Sequence, residues 1–306
     1  MQPVRQAMHI LGPGGVGTLH AFLLQQVGHP FVLLGRTAKV QHFFPGPKGI
    51  CVEPTAIASD ALQSLTVRQH RSIKQLLVTT KQHQTKQALT SILPYLHPHA
   101  GVCFLQNGMD DRTAQVLLPS HQVAYGITTH AIARNDVEQS LYWNARGRTQ
   151  FGSLSETRDL NRWQWLNPLG TLVSTASDFE AQRWRKCALN ACLNPVTALH
   201  KCKNGEVLSK EAARDMATTL SRELISLMAT VKPDMLWPNL VADVLNLAQS
   251  TAFNTSSMLY DRLKNEETEI DAINGFFLRL AAEHNISLPM HERVTRQVKL
   301  KDWIVP

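Results

Sequence analysis

The sequence predicts an α/β first half followed by an all-α second half, and three observations predict it. Short β-rich runs alternate with helix-length segments up to about residue 154. Beyond about residue 176 the β signal disappears and long helical periodicities replace it. A glycine-rich turn joins the first strand to the first helix, the arrangement that open parallel sheets use to hold a ligand. A chain of 306 residues suits about two domains, with boundaries expected at 1–175 and 176–306.

In chain order, strands are expected over Ala7 to Leu11, Phe31 to Leu34, Gln75 to Thr80, Val102 to Leu105 and Val123 to Ile127. Several are continuously apolar, as strands covered on both faces must be. Helices fall between them, at Val16 to Val27 and Thr85 to Leu93. From Leu141 to Leu154 two alternating runs flank Arg146-Gly147-Arg148, which predicts a hairpin added to the sheet. The stretch Leu166 to Gly170 is too short for a flexible linker. Helices are then expected over Phe179 to Leu199, Lys210 to Thr230, Asn239 to Ala252 and Glu267 to Asn285. In the last, Ile270, Ile273, Phe277 and Leu280 define one buried stripe.

The composition is that of a soluble globular chain, 43% apolar and 18% charged, which excludes disordered and fibrous classes. The formal charge of +7 favours an anionic partner. All of the excess lies in residues 1–175, where 15 Lys+Arg oppose 8 Asp+Glu; residues 176–306 hold 16 of each. Five cysteines, Cys51, Cys103, Cys187, Cys192 and Cys202, form no CxxC pair, as in a reduced intracellular protein. No run approaches the roughly 20 apolar residues of a membrane span, and the first residues lack a secretory pattern, so a cytoplasmic location is expected. No metal site is expected, since His97-Pro-His99 has no carboxylate or thiol at ligand spacing.

Gly12-Pro13-Gly14-Gly15-Val16-Gly17 matches GxGxxG between a strand and a helix, the setting that gives the pattern meaning. The glycines allow a tight turn and a close approach of backbone N–H groups to a pyrophosphate, whose charge rests on the helix N-terminus. Pro13 removes one N–H that would have faced phosphate. A site for NAD would place Asp or Glu about 20 residues on, but the second strand ends in Gly35-Arg36. No acid precedes Glu53, whereas Arg5, Arg36, Lys39 and Lys48 are present. A guanidinium can hold a 2′-phosphate bidentately, so NADP(H) is the expected cofactor. The bland alternative is an ordinary surface arginine. Lys81 and Asn107-Gly108 follow two further strands, at the edge where such sheets bind ligands.

In the second half, Lys186, Asn190 and Asn194 share one helix face while Trp184, Ala188, Leu189, Cys192 and Leu193 occupy the others. Two asparagines beside a lysine on a mostly buried helix need partners. A bound polar ligand is one partner, and side-chain bonding to backbone near Pro195 is the other. Farther on, Glu266, Glu267, Glu269 and Asp271 suit the positive end of a helix dipole.

Taken together, GPGGVG, VTTK, QNGM, RWRKCALNACLNPVTAL, CKNGE, NTSSML and TEIDAINGFFLRLAAEHNI, in that order from Met8 to about Lys299, resemble the ketopantoate reductase (2-dehydropantoate 2-reductase) family. The resemblance implies a Rossmann-type NADP-binding domain, a helical substrate domain, and a cleft where NADPH reduces 2-dehydropantoate to pantoate for pantothenate and coenzyme A. It implies Lys186 as catalytic lysine and general acid, with Glu269 as the catalytic-site glutamate. Asn107, Asn190, Asn194, Asn204, Asn254 and Ser257 resemble substrate-binding positions. Gly12, Pro13, Gly14, Gly15, Val16, Gly17, Arg36, Lys81, Gln84, Asn107 and Glu269 resemble cofactor contacts. The segment Lys232 to Asn239 is shorter than the family's helix there. A lysine starts protonated at neutral pH, and nearby carboxylate and phosphate would keep Lys186 so.

The expected partner is a small 2-oxo acid, with no nucleic acid or membrane and room for a homodimer. The alternatives are reduction of a different 2-oxo acid, a non-catalytic NADP(H)-binding regulator, or, from the pI of 9.3, a nucleic-acid binder.

Overall fold

The computed structural model describes residues 6–46, 55–62, 65, 70–135, 138, 140–152, 160–169, 172–173, 176–235 and 237–300. Arg5, Lys48, Cys51, Glu53, Leu154, Gly170 and the expected boundary at residue 175 lie outside them. The chain divides into two compact units, Met1–Gln106 with Asp111–Glu180, and Asn107–Asp110 with Ala181–Pro306. The division therefore falls inside a helix, and four residues from the first half belong to the second unit.

The first unit is built on β1 (Met8–Leu11), α1 (Gly15–Gln26), β2 (Phe31–Gly35), β3 (Lys39–Phe44), β4 (Thr55–Ala61), β5 (Ile73–Val78), α2 (Gln82–Ile92), β6 (Leu96–Leu105), α3 (Arg112–Leu117), β7 (Gln122–Thr128), β8 (Ala131–Asn135), β9 (Ser140–Ala145), β10 (Thr149–Gly152) and β11 (Leu172–Val173). One sheet runs β11-β10-β7-β6-β5-β1-β2-β4-β3-β9-β8. Its centre, from β7 to β4, is parallel throughout. Successive residues of β1 serve opposite faces, Ile10 packing with Leu19, Leu77 and Leu105, and Leu11 with Leu76, Val78 and Phe104. A strand covered on both faces is mostly apolar, hence the buried Met8, Ile10 and Leu11, with half-buried His9 as the exception. Both neighbours of β1 end level with it, Leu11 pairing Leu34 on β2 and Val78 on β5. The connections diverge there, creating the switch point of a doubly wound sheet.

One expectation needs correction. The runs around Arg146-Gly147-Arg148 are strands but not a hairpin: β9 pairs antiparallel with β8, and β10 with β7. The Gly147 N–H donates to His130 Nδ1 at 2.8 Å and the Arg148 N–H to Thr129 Oγ1 at 2.9 Å, so this stretch runs alongside Thr129-His130 without turning back. Leu166 belongs to a 3-10 stretch, Leu160–Leu169, whose Trp163, Leu166 and Leu169 are buried in the first unit's core.

The division lies in α4 (Ala176–His200), and the second unit continues with α5 (Glu206–Ser209), α6 (Glu211–Val231), α7 (Leu240–Ser250), α8 (Ser257–Leu263), α9 (Ile270–Glu283) and α10 (Pro289–Lys299). Its core gathers Cys187, Ala188, Cys192 and Val196 of α4 with Leu220 and Leu224 of α6, Val244 of α7, and Ile273 and Phe277 of α9. On α9 the fourth buried position is Ala281, while Leu280 is only partly covered. Ala281 keeps to the 3.6-residue period better than Leu280 does. Glu223 on α6 accepts from the N–H groups of Met290 (2.8 Å) and His291 (3.1 Å), capping the start of α10. Among the described residues no helix is long and apolar enough to cross a membrane.

Candidate active site

In the first unit the loop after β1 turns at Gly12, whose φ of +115° and closeness to Thr80, with 2.8 Å left between its backbone N and any added Cβ, admit only glycine. Thr79, at the end of β5, holds this loop by donating from Oγ1 to Gly12 O at 2.8 Å. A Cβ on Gly17 would strike Gly12 O and Thr79 Oγ1, so α1 can lie this close to the sheet only with glycine there. Gly14 is the N-cap of α1, with no side-chain cap and no acid in the first turn. The N–H groups of Gly15, Val16 and Gly17 are thus not capped from their own helix, as an anion at a helix N-terminus requires. Pro13 is anchored through its carbonyl, which accepts from Gln41 Nε2 at 3.1 Å, and Gln41 accepts from Thr18.

Arg36 is exposed directly after β2. Lys81 is the N-cap of α2, half-buried, and its carbonyl accepts from Gln84 N–H at 2.9 Å and Thr85 Oγ1 at 3.0 Å. The strand ends at Val78 and α2 begins at Gln82, earlier than the expected bounds, because Thr79 is spent on the glycine loop. These residues fit a phosphorylated dinucleotide: a glycine cradle that a Cβ would fill, an open helix N-terminus, and Arg36 in place of an acid directly after β2. Ile132 of β8, which gave no signal in the sequence, comes within 3.2 Å of where a Cβ on Gly15 would sit and so closes one side of the cradle.

In the second unit, Lys186 Nζ donates to Asn107 Oδ1 at 3.1 Å, and Asn107 Nδ2 donates to Glu269 Oε2 at 3.0 Å. Residues far apart in sequence thus form an ammonium–amide–carboxylate chain. Asn107 is held by its neighbours: Gly108, at φ +84°, lies against the backbone of Ala272, and Met109 N–H donates to Ala272 O at 3.2 Å. Glu269 is the N-cap position of α9 but makes no capping bond. Its carboxylate faces Asn107, while Glu266 and Glu267 remain exposed.

Burial lowers the Lys186 pKa to about 8, with Glu269 and then Cys187 pulling it back upward. Desolvation of the ammonium is the reason for the fall from the usual 10.5.

Asn190 is half-buried and Asn194 buried, and neither side chain makes a hydrogen bond among the described residues. Side-chain bonding near Pro195 is therefore not what occupies them. Asn204 Nδ2 donates to Thr251 Oγ1 at 2.8 Å, and the Asn204 N–H donates to Asn254 O at 3.1 Å, which joins the CKNGE and NTSSML segments. Ser256 caps α8 by accepting from Leu259 N–H and lies 2.7 Å from Thr197 Oγ1 of α4, so the start of α8, where Ser257 stands, is tied to α4. Sequence reasoning missed Thr197, Ser256 and Thr79. A buried hydroxyl leaves no pattern in a sequence until its partner is known.

A doubly wound unit with a glycine cradle, together with a helical unit bearing a lysine–amide–carboxylate chain, defines the class of nicotinamide dinucleotide-dependent oxidoreductases. Residues 8–156 match the model of "Ketopantoate reductase PanE/ApbA" and residues 178–302 that of its C-terminal part. The 2-dehydropantoate 2-reductase of Yersinia pestis is 31% identical over 96% of this chain and 94% of its own. The chain belongs to the ketopantoate reductase family. Among solved structures, a dimeric ketopantoate reductase from Staphylococcus aureus matches with a TM-score of 0.80 at 19% identity, over 96% of this chain and 98% of that one. A D-mandelate dehydrogenase with NADH and anilino(oxo)acetate matches with a TM-score of 0.82 at 17% identity, over 97% and 98%.

Proposed function

We propose that this chain reduces 2-dehydropantoate to pantoate with NADPH. The observation that carries the reading is the Lys186–Asn107–Glu269 chain beside the unpartnered amides of Asn190 and Asn194. Family membership supports the substrate, and Arg36, with no acid between the glycine loop and β4 among the described residues, supports the 2′-phosphate.

When bound, the cofactor supplies a hydride to the ketone carbon. Negative charge then grows on the ketone oxygen, and Lys186 stabilises it and delivers a proton from Nζ. Asn107 spends one Nζ hydrogen and leaves two for substrate, so the amide aims the ammonium as well as linking it to Glu269. Glu269 keeps Lys186 charged against the cost of burial. Asn190, Asn194, Asn254 and Ser257 hold the substrate's carboxylate and hydroxyl, fixing which face of the ketone is attacked, while Asn204, its amide spent on Thr251, supports Asn254 through the backbone. Gly12 to Gly17 hold the pyrophosphate, with Arg36, Lys81 and Gln84 on the rest of the dinucleotide.

The test follows NADPH absorbance with ketopantoate. Turnover is expected, and Lys186→Ala should lower kcat by at least about 100-fold while NADPH affinity survives. An unimpaired variant removes Lys186 from the chemistry. The D-mandelate dehydrogenase fold match motivates a second reading, a different 2-oxo acid. A phenyl-substituted 2-oxo acid with the higher kcat/KM would favour it. A homodimer is proposed from the dimeric relative, to be checked by light scattering.

A further inference from the structure

Pro195 lies inside α4 and has no N–H, so the Ala191 carbonyl one turn earlier loses the donor that the helix would give it. Asn274 of α9, fully buried, supplies the missing donor. Its Nδ2 donates to Ala191 O at 2.9 Å and lies 3.0 Å from His291 Nδ1 on α10. His291 Nε2 lies 3.2 Å from Leu220 O. A carbonyl only accepts, so Nε2 carries the ring proton, Nδ1 accepts, and both hydrogens of the Asn274 amide are used. Burial lowers the His291 pKa to about 4, so the ring keeps this acceptor through neutral pH.

The carbonyl served in this way lies one turn before Pro195 on α4, between Asn190 and Asn194. The helix that serves it begins immediately after Glu269. We infer that Asn274 is a positioning residue: through Ala191 it fixes the turn of α4 that carries Asn190 and Asn194, and it holds Glu269 in register with Lys186. The inference rests on the functional reading above. Asn274 acts through α4 and α9 and touches no reacting atom.

The experiment compares the full-length parent with Asn274→Ala, Pro195→Ala and the double variant, by thermal unfolding and by kinetics with ketopantoate and NADPH. Asn274→Ala is expected to lower the unfolding midpoint and to raise KM for ketopantoate by about 10-fold, with KM for NADPH within about 2-fold of the parent. Pro195→Ala restores a backbone donor for Ala191, so Asn274→Ala should cost less in that background. A double variant that folds where Asn274→Ala alone does not supports the same coupling. Additive midpoint losses, an unchanged KM for ketopantoate, or failure of both variants to fold would overturn the inference. Should the parent turn over no ketopantoate, the functional reading fails instead. The positioning role is then decided by the midpoint coupling and by the pH dependence of Lys186 acylation, which shifts in Asn274→Ala if Glu269 loses its register and stays put if Asn274 is only core.

Discussion

Lys186 is where the physical chemistry of a single residue has the clearest consequence. Desolvation brings its pKa down to about 8, and the Glu269 carboxylate opposes that fall through Asn107. A general acid works only while protonated, so kcat/KM should be flat near neutral pH and decline as pH rises through about 8. Glu269→Gln removes the charge that raises the pKa, so the alkaline limb should move to lower pH, and an unmoved limb would show that Glu269 does not act on Lys186. A second prediction concerns Arg36. Its guanidinium is exposed and free to hold a 2′-phosphate, so Arg36→Ala should raise KM for NADPH by about 10-fold and leave KM for NADH nearly unchanged. Equal effects on both would make Arg36 a surface residue. The stripe of Lys186, Asn190 and Asn194 was legible in the sequence because helical periodicity alone places them on one face. That Asn107 meets Glu269 was not, since nothing local encodes a contact between residues 162 positions apart.

At the scale of elements, strands were legible and their partners were not. The runs on either side of Arg146-Gly147-Arg148 have the alternation of strands, but their pairing depends on His130 and Thr129 accepting from that stretch. Likewise β3, β4 and β8 passed unnoticed, because half-exposed strands such as KVQHFF lack the unbroken apolar run of the central ones. The turn Asn107–Asp110 is where an element's geometry bears on the site. Gly108 combines φ +84° with backbone contact to Ala272, so a methyl group there would push the segment off α9 and carry Asn107 from Glu269. Gly108→Ala should therefore reduce kcat/KM by at least about 10-fold along with a loss of stability. Gly28 is the control: its φ is +61°, but nothing lies within 4 Å of an added Cβ. Gly28→Ala should cost only about 1 kcal/mol of backbone strain and spare activity. Equal activity loss in both variants would mean that global destabilisation, and not displacement of Asn107, is responsible.

Across the whole molecule, each unit buries a neutral histidine. His20 in the first is enclosed beside Val16 O (2.7 Å) and Thr149 Oγ1 (3.1 Å), and His291 in the second lies between Asn274 and Leu220 O. Desolvation takes each from 6.5 to about 4, with the backbone bonds to Val16 and Leu220 opposing part of the fall. Because the folded values lie below the unfolded one, the unfolded chain binds protons first as pH falls, and stability is lost between about pH 6.5 and pH 4. By that linkage each ring removes roughly 2 kcal/mol at about pH 5, a large share of the 5–15 kcal/mol typical of a domain. The two rings lie in different units, so both units should weaken in the same window, before most carboxylates titrate. Urea unfolding at neutral pH and at about pH 5 should show the loss, and His20→Gln should make the first unit's transition less sensitive to acid while leaving the second's as it was. Stability that holds level to about pH 5 would mean that these rings accept a proton without leaving the core. His20 also grips the first turn of α1 through Val16, in the segment that carries the glycine cradle. Acid that charges it should therefore weaken NADPH binding before the first unit unfolds, and titrating cofactor affinity from neutral pH downward in the parent and in His20→Gln would reveal whether the two events separate.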